Sequence, residues 1–406
     1  MGKPKIRFKG FDNDWEQRKL ENFGKATGGT SIESEFSEEG VYKVISIGSY
    51  SENSLYNDQG IRAIKSDKTS NRVLSRNDLT MILNDKTTSG NIIGRVLLIE
   101  ESGIYVYNQR TERIEINVDE YDPVFLYEML NAPNIREKII KQAQGNTQIY
   151  VNWSTISLLD YMIPSKEEQV KIGEYLHNLS NLITLHQRKC EDTKKLKKYM
   201  LQKMFPQNGS KVPEIRFKGF TDDWEQRKLG ELGKIMTGST PSTSKSEYYA
   251  EDGIPWVTPT DINSLIISET SRKLSEEGIK VGRVVPANTI LCTCIASIGK
   301  NALLTVKGSF NQQINSLTPN NENDAYFLLT ESELWSDKMK RMAASGTMQI
   351  VNKADFSELT TMVPTIGEQE KIGVYFRNLD QLITLHQNKC DELKKIKKYM
   401  LQNMFV

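Results

Sequence analysis

The sequence has little of what catalytic and metal sites are usually built from. Its 406 residues include 4 cysteines and 3 histidines. The cysteines, Cys190, Cys292, Cys294 and Cys390, are spaced neither as a zinc site nor as a secreted disulfide framework. Phosphate-loop, dinucleotide, HExxH and GxSxG motifs are also missing. We therefore predict no metal site and no catalytic residues in this chain.

Long apolar runs and an excess of one charge are missing too. No stretch approaches the roughly 18 apolar residues of a membrane helix, and the opening MGKPKIRFKG does not resemble a signal peptide. These features predict a cytoplasmic protein that does not enter a membrane. The 53 Lys and Arg residues nearly balance 52 Asp and Glu, which leaves a net charge of +1. This balance neither favours nor excludes nucleic-acid binding, since charge can be segregated or supplied by a partner.

The sequence does contain a long duplication. The stretch from Pro164 to Phe205 returns from Pro364 to Phe405 with most residues unchanged. In both copies the seam positions alternate in steps of four and three, the heptad pattern of a long helix packed against another helix. An alternative is a single amphipathic helix that covers a domain core. The predicted seam residues are Ile172, Leu176, Leu179, Ile183, His186, Ile372, Phe376, Leu379, Ile383 and His386.

The polar residues of this repeat permit two interpretations. If the helices pair antiparallel about their midpoints, His186 and His386 approach each other and fix the register, while Cys190 and Cys390 stay too far apart to bridge. The lysine-rich run 194–198 and its copy 394–398 could bind phosphate, or form a solvated face near the helix C-terminus. Apolar side chains beside the seam suggest that partner proteins dock on the helices.

A second duplicated block, PKIRFKGFDNDWEQRKL at 4–20, returns at 213–229 with few changes. Acidic residues around Trp15 resemble a helix N-terminus and predict a helix that begins there. The basic and aromatic residues before it could contact nucleic acid. However, Ile6, Phe8 and Phe11 are apolar enough that we favour packing against the protein.

Between these repeats lie two stretches of short apolar runs split by Gly, Asn and Ser, which predict β-rich mixed domains that each end in a pair of helical segments. The fold class is therefore α+β. Weak matches link the stretches, such as Asn108-Gln109 with Asn311-Gln312. The predicted segments are a first framing block at 1–20, a domain at 21–163, a long helix at 164–206, a linker and second framing block at 207–229, a second domain at 230–363, and a long helix at 364–406.

The contrast between the repeats carries the functional prediction. The framing segments are nearly alike, while the two domains between them have diverged. A solenoid needs more copies and would not diverge so selectively. Two like connectors with two unlike domains indicate a device that reads two different targets at a fixed separation.

The chain resembles the specificity subunit of type I restriction–modification enzymes. The resemblance rests on the duplicated Trp-Glu-Gln-Arg-Lys-Leu blocks and on the helix starts at Glu168–Gly173 and Glu368–Gly373. The opening of the second domain also fits, with Thr240-Pro241, Tyr248-Tyr249, 253–257 and Asp261. The first domain departs from this pattern, because it opens with Gly28-Gly29-Thr30 and lacks the Tyr-Tyr and Trp-Val pairs.

The resemblance implies two target recognition domains, each reading one half of an asymmetric, bipartite site in double-stranded DNA. It also implies that the two long helices form an antiparallel coiled coil with internal pseudo-two-fold symmetry, which sets the spacer. Two methyltransferase subunits that use S-adenosylmethionine would dock there, and two restriction subunits would add ATP- and Mg-dependent translocation and cleavage. The chain itself would hold no cofactor and catalyse nothing.

Base-contacting residues are expected among polar side chains on loops between strands. Two other classes stay open, namely a coiled-coil scaffold that joins partners without reading DNA, and an enzyme with an unrecognised site such as a nuclease. No clustered acidic motif supports the enzyme. The predicted DNA-binding residues are Lys86, Thr87, Ser89, Asn91, Arg95, Asn108, Gln109, Arg110, Gln148, Ser242, Lys245, Thr258, Thr260, Ser297, Lys300, Asn311, Gln312 and Gln349.

Overall fold

The computed structural model describes residues 3–207, 209–345 and 350–406. Its contacts divide into unit 1, Met1–Gln187 with Gln387–Val406, and unit 2, Arg188–His386. Each unit contains one β-rich domain, here called head 1 (21–163) and head 2 (230–363). Each also contains the first half of one long helix and the second half of the other. From the sequence, each long helix is predicted as a segment of its own. In the structure, the boundary between the two units falls near the middle of each long helix.

Unit 1 is built mainly from short strands that alternate with short helices. Its elements are β1 Glu16–Lys19, β2 Gly24–Gly28, β3 Tyr42–Ile45, β4 Arg62–Ala63, α1 Asp67–Ser70, β5 Leu79–Ile82, β6 Asn84–Asp85, β7 Val96–Leu98, β8 Tyr105–Tyr107, β9 Thr111–Ile116, α2 Pro123–Asn131, α3 Pro133–Ile140, β10 Ile149–Tyr150, α4 Trp153–Ile156, β11 Asp160–Ile163 and α5 Lys166–Lys203, which continues into unit 2.

Two sheets form the centre of head 1. The described strands give one sheet in the order β2-β9-β5-β7, all antiparallel, and another in the order β4-β3-β8. β3 and β8 run parallel, with Ile45 opposite Tyr107. The core contains Phe23, Leu79 and Phe125, which are fully buried. Strands this short are stable only when they pack against neighbouring elements. All four residues of β5 are buried, so both faces of this strand are covered.

Unit 2 repeats this plan. Its elements are β12 Glu225–Lys228, α6 Leu229–Leu232, β13 Gly233–Thr237, β14 Tyr249–Val257, β15 Ile266–Ile267, β16 Lys273–Leu274, α7 Glu276–Val281, β17 Val284–Val285, β18 Thr289–Thr293, β19 Asn301–Leu304, β20 Gly308–Phe310, β21 Ile314–Pro319, α8 Ala325–Ser345, α9 Lys353–Glu358, β22 Thr360–Val363 and α10 Ile366–Asn403, which continues into unit 1.

In head 2 the described strands form sheets in the orders β13-β21-β18-β19-β15 and β16-β14-β20-β17. β14 and β20 run parallel, with Val257 opposite Phe310, as β3 and β8 do in head 1. The α+β prediction is therefore confirmed, with a mixed head followed by a long helix in each half. None of the helices in the described part of the chain is both long enough and apolar enough to cross a membrane.

The framing blocks correct one prediction. Residues 16–19 form a strand rather than the start of a helix, because β1 pairs antiparallel with β11, and β12 pairs with β22 in the same way. Local acid placement favoured a helix, but the strand is stabilised by a partner that is distant in the sequence. The packing interpretation is confirmed for Ile6 and Phe8, which lie against the core of unit 1, with the Phe8 ring 5.9 Å from that of Tyr175.

Each framing block also fixes the start of a long helix. The Arg7 guanidinium donates to both carboxylate oxygens of Glu168, at 2.7 and 2.8 Å, and Arg216 donates to Glu368 at 2.7 Å. The two glutamates are fully buried. Hydrogen bonding to Glu168 raises the pKa of Arg7. This bidentate contact explains why the duplicated blocks and helix starts accompany each other in the sequence.

In unit 1 the first half of α5 packs antiparallel against the second half of α10. The end of α10 lies near the start of α5, since Ile6 N donates to Asn403 O at 3.0 Å and the neighbouring Arg7 binds Glu168. Further along the helix pair, Lys397 Nζ lies 2.7 Å from Ser180 Oγ. The predicted seam residues Ile172, Leu176 and Leu179 are buried here, whereas Ile183 and His186 are half-buried.

Unit 2 pairs the other helix halves in the same sense. Along α5, Cys190 Sγ lies 3.8 Å from Ile383 O, Lys197 Nζ lies 2.9 Å from Asp380, and the Phe205 ring lies 5.8 Å from that of Phe376. The contacts on α10 therefore shift towards its N-terminus as α5 proceeds towards its C-terminus, so these two helix halves run antiparallel. Ile372, Phe376 and Leu379 are buried, and Ile383 and His386 are half-buried.

Head 2 also corrects the prediction of paired helical segments. In head 1, α2 and α3 are separate because Ala132 is extended, at φ −64° and ψ 138°, directly before Pro133. A residue before proline is driven out of the helical region. The corresponding stretch of head 2 has no proline, and α8 runs unbroken from Ala325 to Ser345.

Candidate nucleic-acid interface

Three loops of head 1 meet at the end of β5. Leu83 N donates to Arg110 O at 2.9 Å, and Val151 N donates to Leu83 O at 2.9 Å. The strands β6 and β10 then pair, with Asp85 opposite Ile149. These contacts place loop 84–93, turn 108–110 and loop 144–150 side by side. We call these three segments loop cluster 1.

Loop 84–93 is the largest part of this cluster and is held from beneath. Asp85 is buried, and its carboxylate accepts from Thr87 N at 2.9 Å and from Ile92 N at 3.2 Å. Arg136 on α3 is also buried, and its Nη2 donates to carbonyl oxygens of Gly90, Asn91 and Ile93 at 2.9 to 3.2 Å. Burial lowers the pKa of Arg136 to about 10, so it stays charged at neutral pH.

The predicted residues of head 1 fall into exposed and engaged groups. Asn108 is buried, with Oδ1 accepting from Ile32 N at 3.1 Å and Nδ2 donating to Glu33 at 2.9 Å. The hydrogen bond from Asn108 lowers the pKa of Glu33. Arg95 is half-buried and donates to Ser54 Oγ at 2.9 Å, and burial lowers its pKa. The side chains that are exposed in the loops are Lys86, Thr87, Ser89, Asn91, Gln109, Arg110 and Gln148.

Among the exposed residues, some already contact the head. Gln109 Nε2 lies 3.1 Å from Glu33, and Asn91 Nδ2 lies 2.8 Å from Glu52. Thr87 and Ser89 share a hydroxyl contact of 2.6 Å. Arg110 has a positive φ of 69°, which turns the chain sharply between β8 and β9. The cluster therefore presents hydroxyl, amide and cationic groups from a shaped loop rather than from a mobile tail.

Head 2 forms a similar arrangement, here called loop cluster 2: loop 295–300, turn 311–313 and the pair Ile350-Val351. Cys294 N donates to Gln313 O at 2.9 Å, and Val351 N donates to Cys294 O at 3.0 Å. Ile295 and Ile350 form an isolated bridge. Thr293 fixes the loop, since its Oγ1 accepts from Lys300 N at 2.9 Å.

The predicted residues of head 2 that the structure describes differ in their exposure. Thr258 follows β14 and Asn311 follows β20, and because these strands run parallel their ends share one edge. Asn311 is buried, and its Oδ1 accepts from Gln313 N at 3.0 Å. Thr258 is half-buried and donates to Asp261 at 2.6 Å. Ser242, Lys245, Thr260, Lys300 and Gln312 are exposed, Ser297 is half-buried, and Gln349 lies outside the described residues.

The residues behind the family resemblance build the wall beside cluster 2. Tyr249 OH donates to Pro241 O at 2.7 Å, and Trp256 Nε1 donates to Ser239 O at 3.1 Å. Arg272 stacks over both rings, 5.3 Å from the Tyr249 centroid. A side chain at Gly253 would lie 1.9 Å from a backbone oxygen, so only glycine fits there. These residues join loop 239–249 to the edge where Thr258 and Gln312 lie, and Thr240 contacts Gln312 directly.

The two clusters share a set of backbone hydrogen bonds, here called the frame, and differ in the loops that this frame carries. Gly94 N donates to Ile82 O at 2.9 Å, as Gly299 N does to Thr293 O, and both glycines have positive φ. Between Leu83 and Gly94 lie residues 84–93, which are ten, whereas between Cys294 and Gly299 lie residues 295–298, which are four. At this edge the two heads therefore share backbone contacts but differ in the length and sequence of the loop.

Two residues that organise cluster 1 were missed from the sequence, Asp85 and Arg136. Asp85 follows the apolar strand β5, and Arg136 lies with Ile135 and Ile139 on the buried face of α3. A charged residue on a buried face was the available signal. In the described part of the chain, no group of three or more His, Cys, Asp or Glu side chains is arranged to hold a metal ion.

The lysine-rich runs on the helices separate into two kinds of side chain. Lys194, Lys195 and Lys198 are exposed, as a solvated face requires. Lys197 is buried and lies 2.8 Å from Glu333. Its pKa is lowered by burial, but the nearby Glu333 and Asp380 carboxylates outweigh this and raise it. Lys197 thus joins the helix pair to head 2.

Comparison with known proteins agrees with this architecture. A family model described as type I restriction modification DNA specificity domain matches residues 12–194 and 221–395. The MjaIX specificity subunit of Methanocaldococcus jannaschii, a type I restriction enzyme subunit, is 29% identical over 191 residues, which cover 45% of this chain and 44% of that protein. The HindI specificity subunit of Haemophilus influenzae is 23% identical over 378 residues, covering 74% and 82%. The alignment with the first relative spans less than half of its length.

Solved structures show the same fold. The S subunit of a type I restriction–modification system from M. genitalium has a TM-score of 0.70 at 17% identity, over 100% of this chain and 99% of that chain. A chain from a study of complex assembly and conformational transition of the type I R-M system has a TM-score of 0.51 at 16% identity, over 97% and 98%. Because the family model covers both heads and most of both long helices, the chain belongs to the type I restriction–modification DNA specificity family.

Proposed function

We propose that this chain recognises DNA sequence within a type I restriction–modification complex, and that each head reads one half of an asymmetric, bipartite site. The observation that carries this proposal is the repeated frame with unlike loops. Leu83 and Cys294 occupy the same position in the frame, yet the loops that follow them differ in length and sequence. One framework with two different exposed edges suits two different half-sites.

The exposed side chains have the chemistry that base recognition needs. Lys86 and Arg110 in head 1, and Lys300 in head 2, can donate to phosphates or to guanine. Exposed Gln148 and Gln312 offer amides that suit adenine. Asn108 and Asn311 are buried and bonded within their heads, so we assign them to shaping the turns rather than to base contact.

The helices would set the distance between the half-sites and dock the partners. Both carry exposed apolar side chains outside the seam, which a partner protein would cover. We expect two methyltransferase subunits there, carrying S-adenosylmethionine, and two restriction subunits that use ATP and Mg. The chain would be a non-catalytic, cytoplasmic subunit without a cofactor of its own. The exposed apolar helix residues are Leu182, Leu185, Leu196, Tyr199, Val374, Leu382, Leu385 and Tyr399.

A net charge of +1 leaves little attraction for phosphates from this chain alone. The salt-dependent part of DNA affinity would therefore come largely from the methyltransferase subunits. Binding is best measured on the chain together with its methyltransferase, using a pool of random-sequence duplexes at moderate salt. Enrichment of one bipartite sequence is the expected result.

The test also separates the second candidate, a scaffold that joins partners without reading DNA. If the methyltransferase binds the chain but the pool shows no enriched sequence, the scaffold is favoured and sequence recognition is refuted. The exposed apolar helix faces are compatible with both functions, so the decision rests on the DNA pool.

A further inference from the structure

Arg136 is a buried cation whose described partners are backbone oxygens. It is 6% exposed, and its Nη2 lies 2.9 to 3.2 Å from the carbonyl oxygens of Gly90, Asn91 and Ile93. In the described part of the chain no carboxylate forms an ion pair with it. The nearest acidic influence is Asp85, which acts on Arg136 through space and is itself bonded to the same loop.

A buried charge without an opposite charge is costly, and an apolar side chain would fill the same space at lower cost. The contacts of Arg136 show what its charge achieves here. All three acceptors lie in loop 84–93, at the end opposite to Thr87, which the Asp85 carboxylate holds. Asp85 thus holds both arms of the loop, through Thr87 N and Ile92 N, and Arg136 adds a second anchor on the arm that contains Ile92.

The side chains between these two anchors face solvent. Lys86, Thr87, Thr88 and Ser89 are exposed, while Gly90 beneath them is buried. Gly90 has a positive φ of 68°, and a side chain on it would lie 3.3 Å from Ile149 in the neighbouring loop. The exposed tip is thus carried on a tightly fixed base, which is what a loop needs to offer hydrogen bonds in a set direction.

Head 2 shows that the frame does not itself require an arginine. Its loop of residues 295–298 is shorter, and Thr293 fixes it through a hydroxyl that contacts Ser297 O and accepts from Lys300 N. On the helix behind it, Ser336 Oγ accepts from Asn301 Nδ2 at 2.7 Å. The arginine accompanies the long loop.

We propose that Arg136 is a positioning residue for sequence recognition, which holds loop 84–93 in the shape that reads the half-site of head 1. This inference rests on the proposed function, because it assumes that head 1 reads DNA. Arg136 itself lies beneath the loop and does not touch the bases.

The test uses Arg136→Lys in the full chain with its methyltransferase, followed by methylome sequencing. Lysine keeps the charge and the stem but lacks the planar guanidinium. Discrimination should fall about tenfold or more at positions of one half-site, while the other half-site and the spacer stay unchanged. Hydrogen exchange of the Thr87 and Ile92 amides should become faster.

Ile135→Val is the matched control, because Ile135 is buried on the same helix and its truncation weakens the core without removing a hydrogen bond to the loop. It should leave both half-sites unchanged. Relaxation of the same half-site by Ile135→Val, or an unchanged half-site in Arg136→Lys, overturns the proposal.

A second variant, with a different loop, shows whether Arg136→Lys fails only because the protein does not fold. Replacing residues 84–93 with residues 295–298 removes the three acceptors, so Arg136→Lys should then change neither folding nor recognition. If Arg136→Lys fails to fold in both backgrounds, Arg136 serves the core and the proposal is wrong; failure only with the native loop supports it. A wild-type complex without any selective methylation refutes the proposed function, whereas the exchange measurement still tests the positioning.

Discussion

Replacement of Lys397 by methionine should weaken unit 1 more than replacement of Lys197 weakens unit 2. Lys397 Nζ lies 2.8 Å from the Glu128 carboxylate, whose side chain is 2% exposed. Methionine keeps the length of the side chain but removes the cation. Glu128 would then keep Ser180 Oγ, at 3.2 Å, as a donor but lose its counter-charge.

The partners of Lys197 are less dependent on it. Asp380 is 13% exposed and also accepts from Tyr326 OH at 3.0 Å, so it keeps a donor. Glu333 is 42% exposed, and solvent screening limits that ion pair to less than about 1 kcal/mol. We expect a loss of about 3–5 kcal/mol for Lys397→Met and of about 2 kcal/mol for Lys197→Met.

The loss of stability in Lys397→Met should depend on pH in a defined direction. In Lys397→Met the buried Glu128 carboxylate has no counter-charge, and protonation removes the uncompensated charge. The deficit should therefore be largest at high pH and shrink as the pH falls. Adding Glu128→Leu to Lys397→Met should recover most of the loss, because the buried charge is gone.

Urea unfolding monitored by hydrogen exchange, resolved by unit, is the appropriate assay, since a chain of two units need not unfold in one step. Amides of head 1 should lose protection in Lys397→Met, and amides of head 2 in Lys197→Met. Equal losses, a larger loss for Lys197→Met, or a pH-independent deficit in Lys397→Met would refute the reasoning about burial.

Three further predictions concern spacing, specificity and a buried acid. Deleting four residues from α5 shortens the helix by roughly 6 Å, less than two base pairs at about 3.4 Å each; methylome sequencing should show a changed spacer with both half-sites intact, and a changed half-site contradicts this. Replacing 230–363 with a copy of 21–163 should give a palindromic methylation motif, and an asymmetric motif contradicts one head per half-site. Burial raises the pKa of Glu331 to about 8, with Thr361 as a hydrogen-bond partner at 2.5 Å. Relative to Glu331→Gln, wild type should therefore lose about 1.4 kcal/mol per pH unit between the unfolded pKa, about 4.3, and the folded one; parallel pH profiles of unfolding contradict it.

The long helices were predictable because their signal is local and repeated many times. The heptad pattern places them at 164–206 and 364–406, and they run from Lys166 to Lys203 and from Ile366 to Asn403. The strand at 16–19 was not predictable in this way. Its exposed residues show no alternation of apolar and polar side chains, and it is stabilised by β11, far along the chain.

The candidate interface could be predicted only in outline. The sequence predicts polar loops between strands as the recognition surface, but the role of a single side chain depends on its tertiary partner. Asn108 and Gln109 are adjacent and chemically similar, yet Asn108 is buried between Ile32 and Glu33 while Gln109 is exposed. Arg136 acts on a loop more than 40 residues away, as its contact with Ile93 shows.

The framing contacts explain why the heads can diverge while their frames do not. The chain enters head 1 through β1 and leaves through β11, and these strands pair, with Lys19 opposite Asp160. In head 2, Lys228 lies opposite Thr360 in the same way. The two ends of each head are thus neighbours in one antiparallel ladder, so a replacement head must match only this ladder and the helix that follows. A head exchanged between these paired residues should fold, whereas an exchange that cuts inside a ladder should break the pairing of the strands that joins the two ends of the head and lower the yield of folded protein. Equal yields of folded protein from both designs would mean that the ladder is not needed to hold the two ends of the head together.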